Sequence, residues 1–572
     1  MKNINNISKV VFIFIALALT TTSCENFLNR PTEDNYNVDN FYQTEEQCFQ
    51  SVNPLYNSPW YDFQRGFFKV AEVLSGNYFW GQSPYLTFTI NSTDEDLVNM
   101  SASLWSVNAY ANSIIENIDL KASNAVSQEV KNVVKGEALV WKAMTYFYLV
   151  RTFGAVPIVH SNSADISEGN YNEKYKATIP NVYDYIILTL EKAIEWLPES
   201  NDPGRIDRYS AYALLSKVYL TKSGYGMSGS RNESDLQKAA EYALKVIDES
   251  GRNLLPVYSD IFRLVNNKSE ESLLAWHWSA GRDPWTQQNT LQSDLALTNF
   301  SEFGDTWGGY AGPSVDLQDA FGENALSLTR QNKDTRRKAT MMMYGDVYDY
   351  FWVDKGGFDW ANYCINVLGE IQSGTGANQV KHLVGDNNDH VIGTGSSMVN
   401  MGTGLSTHLI RLADVYLIYA EAVLGNAAST SDAKALEVFN KVRARAYGMD
   451  YTEFINTTSA FTSLTFDDIW KERRLELATE GDRWYDFVRL HYYKPQEAIN
   501  IIKGQRRSIY NGLFSYYENG ILNTSVTYYD NNEPVPNVND SNFGLPFPDT
   551  DLTMNKHLLE DPVDQDMSQY TY

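Results

Sequence analysis

The chain of 572 residues is long enough for a large folded core, and its 43% hydrophobic content argues against wholesale disorder. Its 46 basic and 71 acidic residues give a net charge of -25, which disfavours nucleic acid or an anionic bilayer as a partner. The three cysteines, Cys24, Cys48 and Cys364, are too far apart for a zinc ribbon or a dense disulfide framework.

The first residues have the pattern of an export signal. Lys2 and Lys9 precede an apolar run over residues 10–19, and small polar residues follow it up to Cys24. The run is about half the length of a permanent membrane-spanning helix, and no later stretch is long and apolar enough to span a bilayer. We therefore predict a signal peptide over residues 1–23 and no integral membrane segment in the mature protein.

Residues 21–24 read Thr-Thr-Ser-Cys and resemble the bacterial lipobox, in which a small residue precedes a cysteine that receives lipid. They depart from that pattern in having Thr, in place of Leu, three residues before the cysteine. We predict that Cys24 is lipidated and anchors the mature chain. The alternative is an ordinary secretory signal that ends near a cysteine.

Apolar residues recur at helical spacing in five blocks of the chain, which predicts a mainly α fold. The blocks are residues 139–150, 211–222, 236–247, 411–423 and 435–446. The last four form two adjacent pairs, with the helix-turn-helix length of tetratricopeptide repeats. Because such a pair cannot bury its apolar face alone, we predict a scaffold of stacked helical pairs.

Two long regions, at about 251–407 and 500–550, lack a helical stripe and are rich in Gly, Asn, Asp, Ser and aromatic residues. Such stretches are often functional loops that a rigid framework holds in place. We predict a helical region over residues 24–250 and a region with a loop-rich ligand face over residues 251–572. We expect both to form one compact unit.

We found no catalytic or metal-binding signature. The sequence contains no H-E-x-x-H helix, no G-x-S-x-G elbow and no Walker loop, and its seven histidines show no ligand spacing. Residues 385–389, Gly-Asp-Asn-Asn-Asp, resemble an acidic calcium loop but lack its central glycine and distal glutamate, so we interpret them as a solvated turn. We predict no cofactor and no metal. A glycosidase needs only two carboxylates, and the acidic residues leave such a pair open.

The densest charged segment is residues 470–490, in which Glu472, Glu476 and Glu480 recur four residues apart. Gly481 is placed to break this helix. One interpretation is a recognition site for an anionic ligand. The interpretation we favour is a partly buried ion-pair network that locks two helices together, because buried charges need partners.

The same segment carries a resemblance to a known family. Residues 472–489, ERRLELATEGDRWYDFVR, closely resemble the signature near the C-terminus of the SusD/RagB family, which comprises outer-membrane nutrient-binding lipoproteins of Bacteroidetes of the starch-utilisation type. Residues 135–157, which end in Phe-Gly-Ala-Val-Pro, and residues 411–422 with 440–446 are similar to further segments of that family, in the same order. Residues 555–562 depart from the usual N-P-x-L and Q-N-P ending.

The resemblance implies a cell-surface lipoprotein that binds oligosaccharides, or sometimes peptides, and has no catalytic role. It also implies a partner, a TonB-dependent outer-membrane transporter of the SusC type that the protein caps. Only the N-terminal lipid would touch the membrane. Export, a cysteine anchor, a repeat-like helical scaffold and aromatic loops agree with this.

A sugar ring offers a flat C–H face and a rim of hydroxyl groups, so its site needs exposed aromatic rings beside polar side chains. Loops at residues 76–81, 280–285 and 304–313 supply both. The predicted ligand contacts are Trp80, Trp285, Trp307 and Tyr310, with Asn77, Arg282, Asp283 and Asp305 facing the hydroxyl groups. The resemblance favours the rings of the first and third loops. The tryptophans that we assign to the core are Trp141, Trp276, Trp278 and Trp484.

Two other functions stay open at this point. A secreted all-helical glycoside hydrolase would release product from a polysaccharide, whereas binding alone yields none. A structural surface protein would have no saturable ligand and no transporter partner.

Overall fold

The computed structural model describes residues 41–170, 172–281, 285–301, 306–399, 401–519 and 536–572. Cys24 with the predicted signal lies outside the described residues, as do Arg282, Asp283 and Asp305. Helices dominate the described ranges and the strands are short, which confirms the mainly α class. Among the described residues, no helix combines the length and the apolarity that crossing a membrane requires.

The helices up to residue 250 include the longest of the described chain. They are α1 (Glu45–Val52), α2 (Phe63–Phe68), α3 (Pro84–Thr87), α4 (Glu95–Lys121), α5 (Gln128–Phe153), α6 (Asn162–Glu168), α7 (Ile179–Trp196), α8 (Arg208–Lys222) and α9 (Glu233–Glu249). Side-chain caps start the long ones: the Asp94 carboxylate accepts the N–H of Leu97 ahead of α4, and Ser127 accepts that of Val130 ahead of α5.

The later helices are mostly shorter, and irregular segments separate them. They are α10 (Leu291–Leu295), α11 (Val315–Phe321), α12 (Thr335–Thr340), α13 (Asn387–Thr394), α14 (Leu412–Leu424), α15 (Ala433–Ala446), α16 (Tyr451–Phe454), α17 (Phe466–Glu476), α18 (Arg483–His491), α19 (Pro495–Lys503), α20 (Leu513–Asn519) and α21 (Asp549–Met554). The short, widely spaced helices α10 to α13 fall between residues 251 and 407, one of the two regions in which the sequence lacks a helical stripe, whereas α14 to α19 follow one another closely.

Eight short strands form four antiparallel pairs among the described residues. The strands are β1 (Tyr78–Phe79), β2 (Ser272–Trp276), β3 (Gly312–Pro313), β4 (Met341–Met343), β5 (Val347–Tyr348), β6 (Phe358–Asp359), β7 (Ala377–Gln379) and β8 (Thr407–Arg411). β1 pairs with β3, β2 with β8, β4 with β7 and β5 with β6. These pairs join segments that are distant in sequence, so they fix loops to the helical scaffold.

The predicted helical pairs form and stack. α8 packs against α9, α14 packs against α15, and α9 contacts α14, so the two pairs lie together. The sequence pattern missed α4 and α7, which pack on α5. The pattern did not predict α4 because this helix has no continuous apolar stripe: its buried residues include Ser101, Ser103, Asn108 and Asn112.

Aromatic side chains fill much of the core. Trp141, Trp276 and Trp484 are fully buried and Trp278 is buried as well, which confirms their assignment. The ring of Trp60 links two of them, with its centroid 5.5 Å from that of Trp141 and 5.2 Å from that of Trp276. β2 therefore carries core tryptophans, as its apolar sequence indicated.

The charged segment forms a buried ion-pair network, as favoured above. Glu476 lies at its centre and accepts hydrogen bonds from Arg411 at 3.1 Å, Arg445 at 2.5 Å and Arg336 at 3.1 Å. Arg411 also donates to Glu480 at 2.7 Å. These side chains are all buried, and they tie α12, β8, α15 and α17 together. The carboxylates are thus occupied by the protein's own cations.

Gly481 follows this helix in the left-handed region, with φ 79°. A Cβ atom there would lie 1.9 Å from the Phe67 ring, so glycine is required both by the turn and by the close approach. The next helix begins at Arg483, as the position of this glycine predicted. α17 already ends at Glu476, so Glu480 lies beyond the helix on which the sequence placed it.

Acid should weaken the network through Glu480. Burial raises the pKa of Glu480, but Arg411 and Lys381 outweigh burial and lower the pKa from 4.5 to about 2. Because the folded pKa lies below the unfolded one, this stabilisation is complete above pH 4.5 and is lost as the pH falls towards 2. We expect Glu480→Gln to lower the free energy of unfolding by about 3 kcal/mol at pH 7, and less at pH 3. Urea unfolding at both pH values measures this, and an equal loss at both would contradict it.

The acidic segment at residues 385–389 is a buried helix cap, which corrects the interpretation of a solvated turn. Asp386 caps α13 and accepts the N–H of Asp389. The Asp389 carboxylate in turn accepts the N–H groups of Trp352 at 2.7 Å and Val353 at 3.0 Å. Both carboxylates are therefore used to hold a loop against a helix.

Candidate ligand-binding site

The pairing of β1 with β3 brings two of the predicted site loops together. In this register Phe79 lies opposite Gly312. Trp80 directly follows Phe79, and Tyr310 lies two residues before Gly312. The rings of Trp80 and Tyr310 meet edge to face with centroids 6.2 Å apart. Residues 230 positions apart thus form one aromatic cluster.

Glycine lets the loop around Trp307 lie directly on α10. The N–H of Trp307 donates to the carbonyl of Ser293 at 3.0 Å. A Cβ atom on Gly308 would lie 2.1 Å from the backbone oxygen of Asp294, whereas one on Gly309 would meet the side chain of Gln372. We expected these glycines to leave the rings uncovered; their contacts show that they also seat the loop.

With its backbone seated, the loop turns two large rings outwards. The side chains of Trp307 and Tyr310 are each 45% exposed. Neighbouring Gly308 and Gly309 are buried, so the rings project from a backbone that is itself covered. This arrangement presents two aromatic faces with little conformational freedom in the loop beneath them.

The Asp294 carboxylate links the Trp307 ring to Arg65 on α2. The Trp307 indole N–H donates to Asp294 at 3.1 Å. The Arg65 Nε atom lies 3.8 Å from the same carboxylate and 3.5 Å from that of Asp96. The Arg65 side chain stays 50% exposed, so it faces solvent while two carboxylates hold it in place. Asp294 therefore fixes both the indole and the guanidinium.

Arg65 belongs to a row of side chains at four-residue spacing. Tyr61, Arg65 and Lys69 lie on successive turns, so they share one face of α2 and the residues that flank it. The Lys69 Nζ atom lies 5.2 Å from the centre of the Trp80 ring and pairs with Asp96. At the other end, Trp285 donates its indole N–H to the Tyr61 hydroxyl. The row thus connects all three predicted loops.

We call this surface the aromatic platform. Its members are Tyr61, Arg65, Trp285, Trp307 and Tyr310. Burial and the charge of Asp294 raise the pKa of the Tyr310 phenol, although the neighbouring Trp80 indole opposes this. Burial raises the pKa of the Tyr61 phenol too, against the hydrogen bond from Trp285. Both hydroxyl groups therefore stay protonated at neutral pH and can donate as well as accept hydrogen bonds.

Asn77 is not on the platform, which corrects the prediction that it contacts ligand. It is fully buried, its amide nitrogen donates to Glu72 at 2.9 Å and its amide oxygen accepts from Arg474 at 2.8 Å. Its carbonyl accepts the N–H of Ser314 at 2.8 Å. Asn77 therefore joins β1 to the end of β3 and to α17.

The other predicted residues differ in what they present. Trp307 and Tyr310 are open, Trp285 is half-buried, and Trp80 is 7% exposed beside Tyr310, so it offers a ligand little of its ring. The sequence reading missed Tyr61 and Arg65. The four-residue spacing of Tyr61, Arg65 and Lys69 before the first loop was the available signal.

Gly308→Ala should test how the platform is seated. We expect its new Cβ atom to displace the loop from α10 and to weaken ligand binding at least tenfold, with a change in the melting temperature of only a few degrees. Gly504→Ala is the matched control, because the nearest atom to its Cβ is 3.4 Å away. Calorimetric titration of both variants measures the effect. Equal affinities would show that the seating is unimportant.

A separate apolar groove of about 670 Å³ lies beside α4. Its walls include Trp105, Ile166, Met554 and Leu558. Trp105 lies two and a half turns along α4 from Asp96, on the opposite face of the helix. The groove is therefore distinct from the platform, and Trp105 is a suitable control for experiments on the platform.

Comparison with known proteins gives consistent matches along the chain. Residues 209–563 match the model of the SusD family, and residues 5–220 match a model described as starch-binding associating with outer membrane. A SusD-like protein of Bacteroides ovatus is 32% identical over 97% of this chain and 98% of its own length. SusD-like protein P2 of Formosa agariphila is 26% identical over 84% of this chain and 90% of its own length.

Solved structures share the fold over the same extent. One that was determined with a xylogluco-oligosaccharide is 29% identical, with a TM-score of 0.77 over 91% of this chain and 99% of that one. A laminarin-binding SusD-like protein is 22% identical, with a TM-score of 0.63 over 90% of this chain and 98% of that one. The second likeness concerns the fold alone.

Proposed function

The chain belongs to the SusD family of carbohydrate-binding proteins, and from this premise we propose that it captures oligosaccharides on the aromatic platform. The observation that carries the proposal is the pair of exposed rings, Trp307 and Tyr310, beside the half-exposed Arg65. Exposed aromatic rings grouped with polar donors suit a ligand with flat C–H faces and hydroxyl edges.

Binding would use each part of the platform differently. The C–H face of a sugar ring would lie on Trp307 or Tyr310, which removes apolar surface of both partners from water. Arg65 and the Tyr61 hydroxyl would hydrogen-bond to hydroxyl groups at the edge of the sugar. Asp294 already holds the Trp307 ring and Arg65 in the free protein. Binding would therefore immobilise these two side chains at little further cost in conformational entropy.

We propose β-linked glucan oligosaccharides as the first ligands to examine. The support is the 29% identical structure that was determined with a xylogluco-oligosaccharide, which covers nearly the same length of chain. Neither the site nor the comparisons favour catalysis. Asp294, a buried carboxylate at the platform, is engaged by Arg65 and Trp307, so it is poorly placed to transfer a proton.

We further propose that the protein acts at the outer-membrane surface and passes its ligand to a SusC-like TonB-dependent transporter. The family description that mentions the outer membrane supports the location. Lipidation of Cys24 would anchor the chain after removal of residues 1–23. Residues 24–250 would then supply most of the scaffold, and residues 251–572 most of the ligand face.

Calorimetric titration of the mature chain from residue 25 tests this function. We expect saturable binding of xyloglucan oligosaccharides or another glycan in a panel, with no new reducing ends after long incubation. Release of reducing ends would favour the hydrolase. Binding of peptides but of no glycan would overturn the carbohydrate ligand. Co-purification with a SusC-like transporter from detergent-solubilised outer membranes tests the partner, and its absence from a stable complex would count against delivery.

A further inference from the structure

The positive charge on the platform is already matched by the protein. Asp96 and Asp294 approach the Arg65 guanidinium at 3.5 and 3.8 Å. Lys69, the next cation along the row, pairs with Asp96 as well. Two carboxylates therefore balance two cations before any ligand arrives. A ligand carboxylate beside Arg65 would meet no unpaired positive charge in this cluster.

Two further carboxylates tip the local balance towards negative charge. Glu95 is exposed next to Asp96, and its charge acts on Arg65. Asp62 is exposed one turn before Arg65, and its charge acts on the Tyr61 phenol. Asp62 and Glu95 thus add two exposed carboxylates beside the ion pairs that Arg65 and Lys69 form with Asp294 and Asp96.

From this arrangement we infer that the aromatic platform selects uncharged glycans and rejects those with uronate or sulfate groups. The inference rests on the proposed glycan-binding function and adds the class of ligand. Asp96 and Asp294 are its specificity-determining residues: they use up the charge of Arg65 but leave its N–H groups able to donate to hydroxyl groups. An anionic sugar would lose hydration and face the surrounding carboxylates, whereas a neutral sugar would not.

A matched pair of ligands tests the inference. One is a neutral β-glucan oligosaccharide that binds in the first experiment. The other is the same oligosaccharide with its primary hydroxyl groups oxidised to carboxylates. We expect the oxidised ligand to bind at least tenfold more weakly at pH 7 and about 0.01 M salt, where the Debye length is about 30 Å. The difference between the two affinities should become smaller at about 0.15 M salt, because screening weakens the repulsion between the ligand carboxylates and those of the protein. Equal or tighter binding of the oxidised ligand would overturn the inference.

Variants separate charge from shape. Asp62→Asn combined with Glu95→Gln changes two exposed side chains outside the platform, so folding and neutral binding should be retained. We expect this double variant to reduce the ratio of the affinities for the neutral and the oxidised ligand at least threefold. Asp294→Asn keeps a side-chain oxygen that can accept the hydrogen bond from the Trp307 indole N–H. We expect this variant to reduce the affinity ratio further. Discrimination that is unchanged in both variants would show that shape causes it.

The control removes the same amount of charge elsewhere. Glu46→Gln combined with Glu129→Gln changes two exposed residues, on α1 and at the start of α5. We expect this variant to discriminate as the parent does; an equal reduction would mean that net charge, and not the cluster around Arg65, is responsible. If no glycan of the panel binds the parent protein in the first experiment, the proposed glycan-binding function itself fails, and the matched pair cannot be chosen.

Discussion

Replacing Trp307 with alanine is expected to weaken binding of a neutral oligosaccharide at least about 30-fold, which corresponds to about 2 kcal/mol. The substitution removes an exposed ring that a sugar face would cover. It leaves Asp294 paired with Arg65, so the rest of the platform keeps its geometry. Calorimetric titration with the oligosaccharide measures the loss, and circular dichroism shows that the fold is retained.

Trp105→Ala is the matched control for this prediction, because it removes the same ring from the groove on the opposite side of α4. We expect its affinity to remain within about twofold of the parent, as for residues outside a binding hot spot. If Trp105→Ala abolished binding and Trp307→Ala did not, the ligand would occupy the groove, and the platform would lose its assignment.

The sequence was most informative where one local pattern was enough. The glycines around Trp307 and Tyr310 predicted that the two rings are exposed, which they are, and the resemblance to the SusD/RagB family is confirmed. Arg65 was missed because its significance depends on Asp294, which lies 229 positions away in sequence and meets it only when α10 packs on α2. Asn77 was misjudged for the same reason, since its partner Arg474 is also remote.

The prediction of helices was limited in the same way, because the sequence pattern does not show contacts between residues that are remote in sequence. In the paired helices α8, α9, α14 and α15, apolar residues recur at helical spacing, and this spacing revealed them. α9 buries one side, whereas α14 is buried nearly all round. α4 buries amide and hydroxyl groups that find partners on other elements: Asn108 and Asn112 both donate to the carbonyl of Val159 at 3.1 Å. A buried face whose polar groups are satisfied by distant residues cannot be recognised from hydrophobic periodicity.

The segment that identified the family contributes mainly to stability. Arg473, Glu476 and Glu480 are buried and paired, so they have no free charge for a ligand. Arg474 nevertheless reaches the ligand face indirectly, because it holds Asn77 between β1 and β3. The charged segment thus supports the pairing that places Trp80 beside Tyr310, while the exposed rings of the platform lie on loops.

Removing the central carboxylate should therefore cost stability first. Glu476→Ala is expected to lower the free energy of unfolding by about 3–5 kcal/mol, because Arg336, Arg411 and Arg445 each lose a buried partner. Glu476→Gln should lose less, since its amide oxygen still accepts hydrogen bonds from arginine. Urea unfolding at pH 7, followed by circular dichroism, measures both losses.

An exposed ion pair provides the comparison. Glu195 pairs with Lys192 at 2.6 Å but is 63% exposed, so Glu195→Ala should change the free energy of unfolding by no more than about 1 kcal/mol. The two alanine variants remove the same side chain from different surroundings. Equal losses would mean that water reaches the buried network and screens it. A loss confined to Glu476→Ala would show that desolvated charges, each dependent on a fixed partner, hold α12, β8, α15 and α17 together.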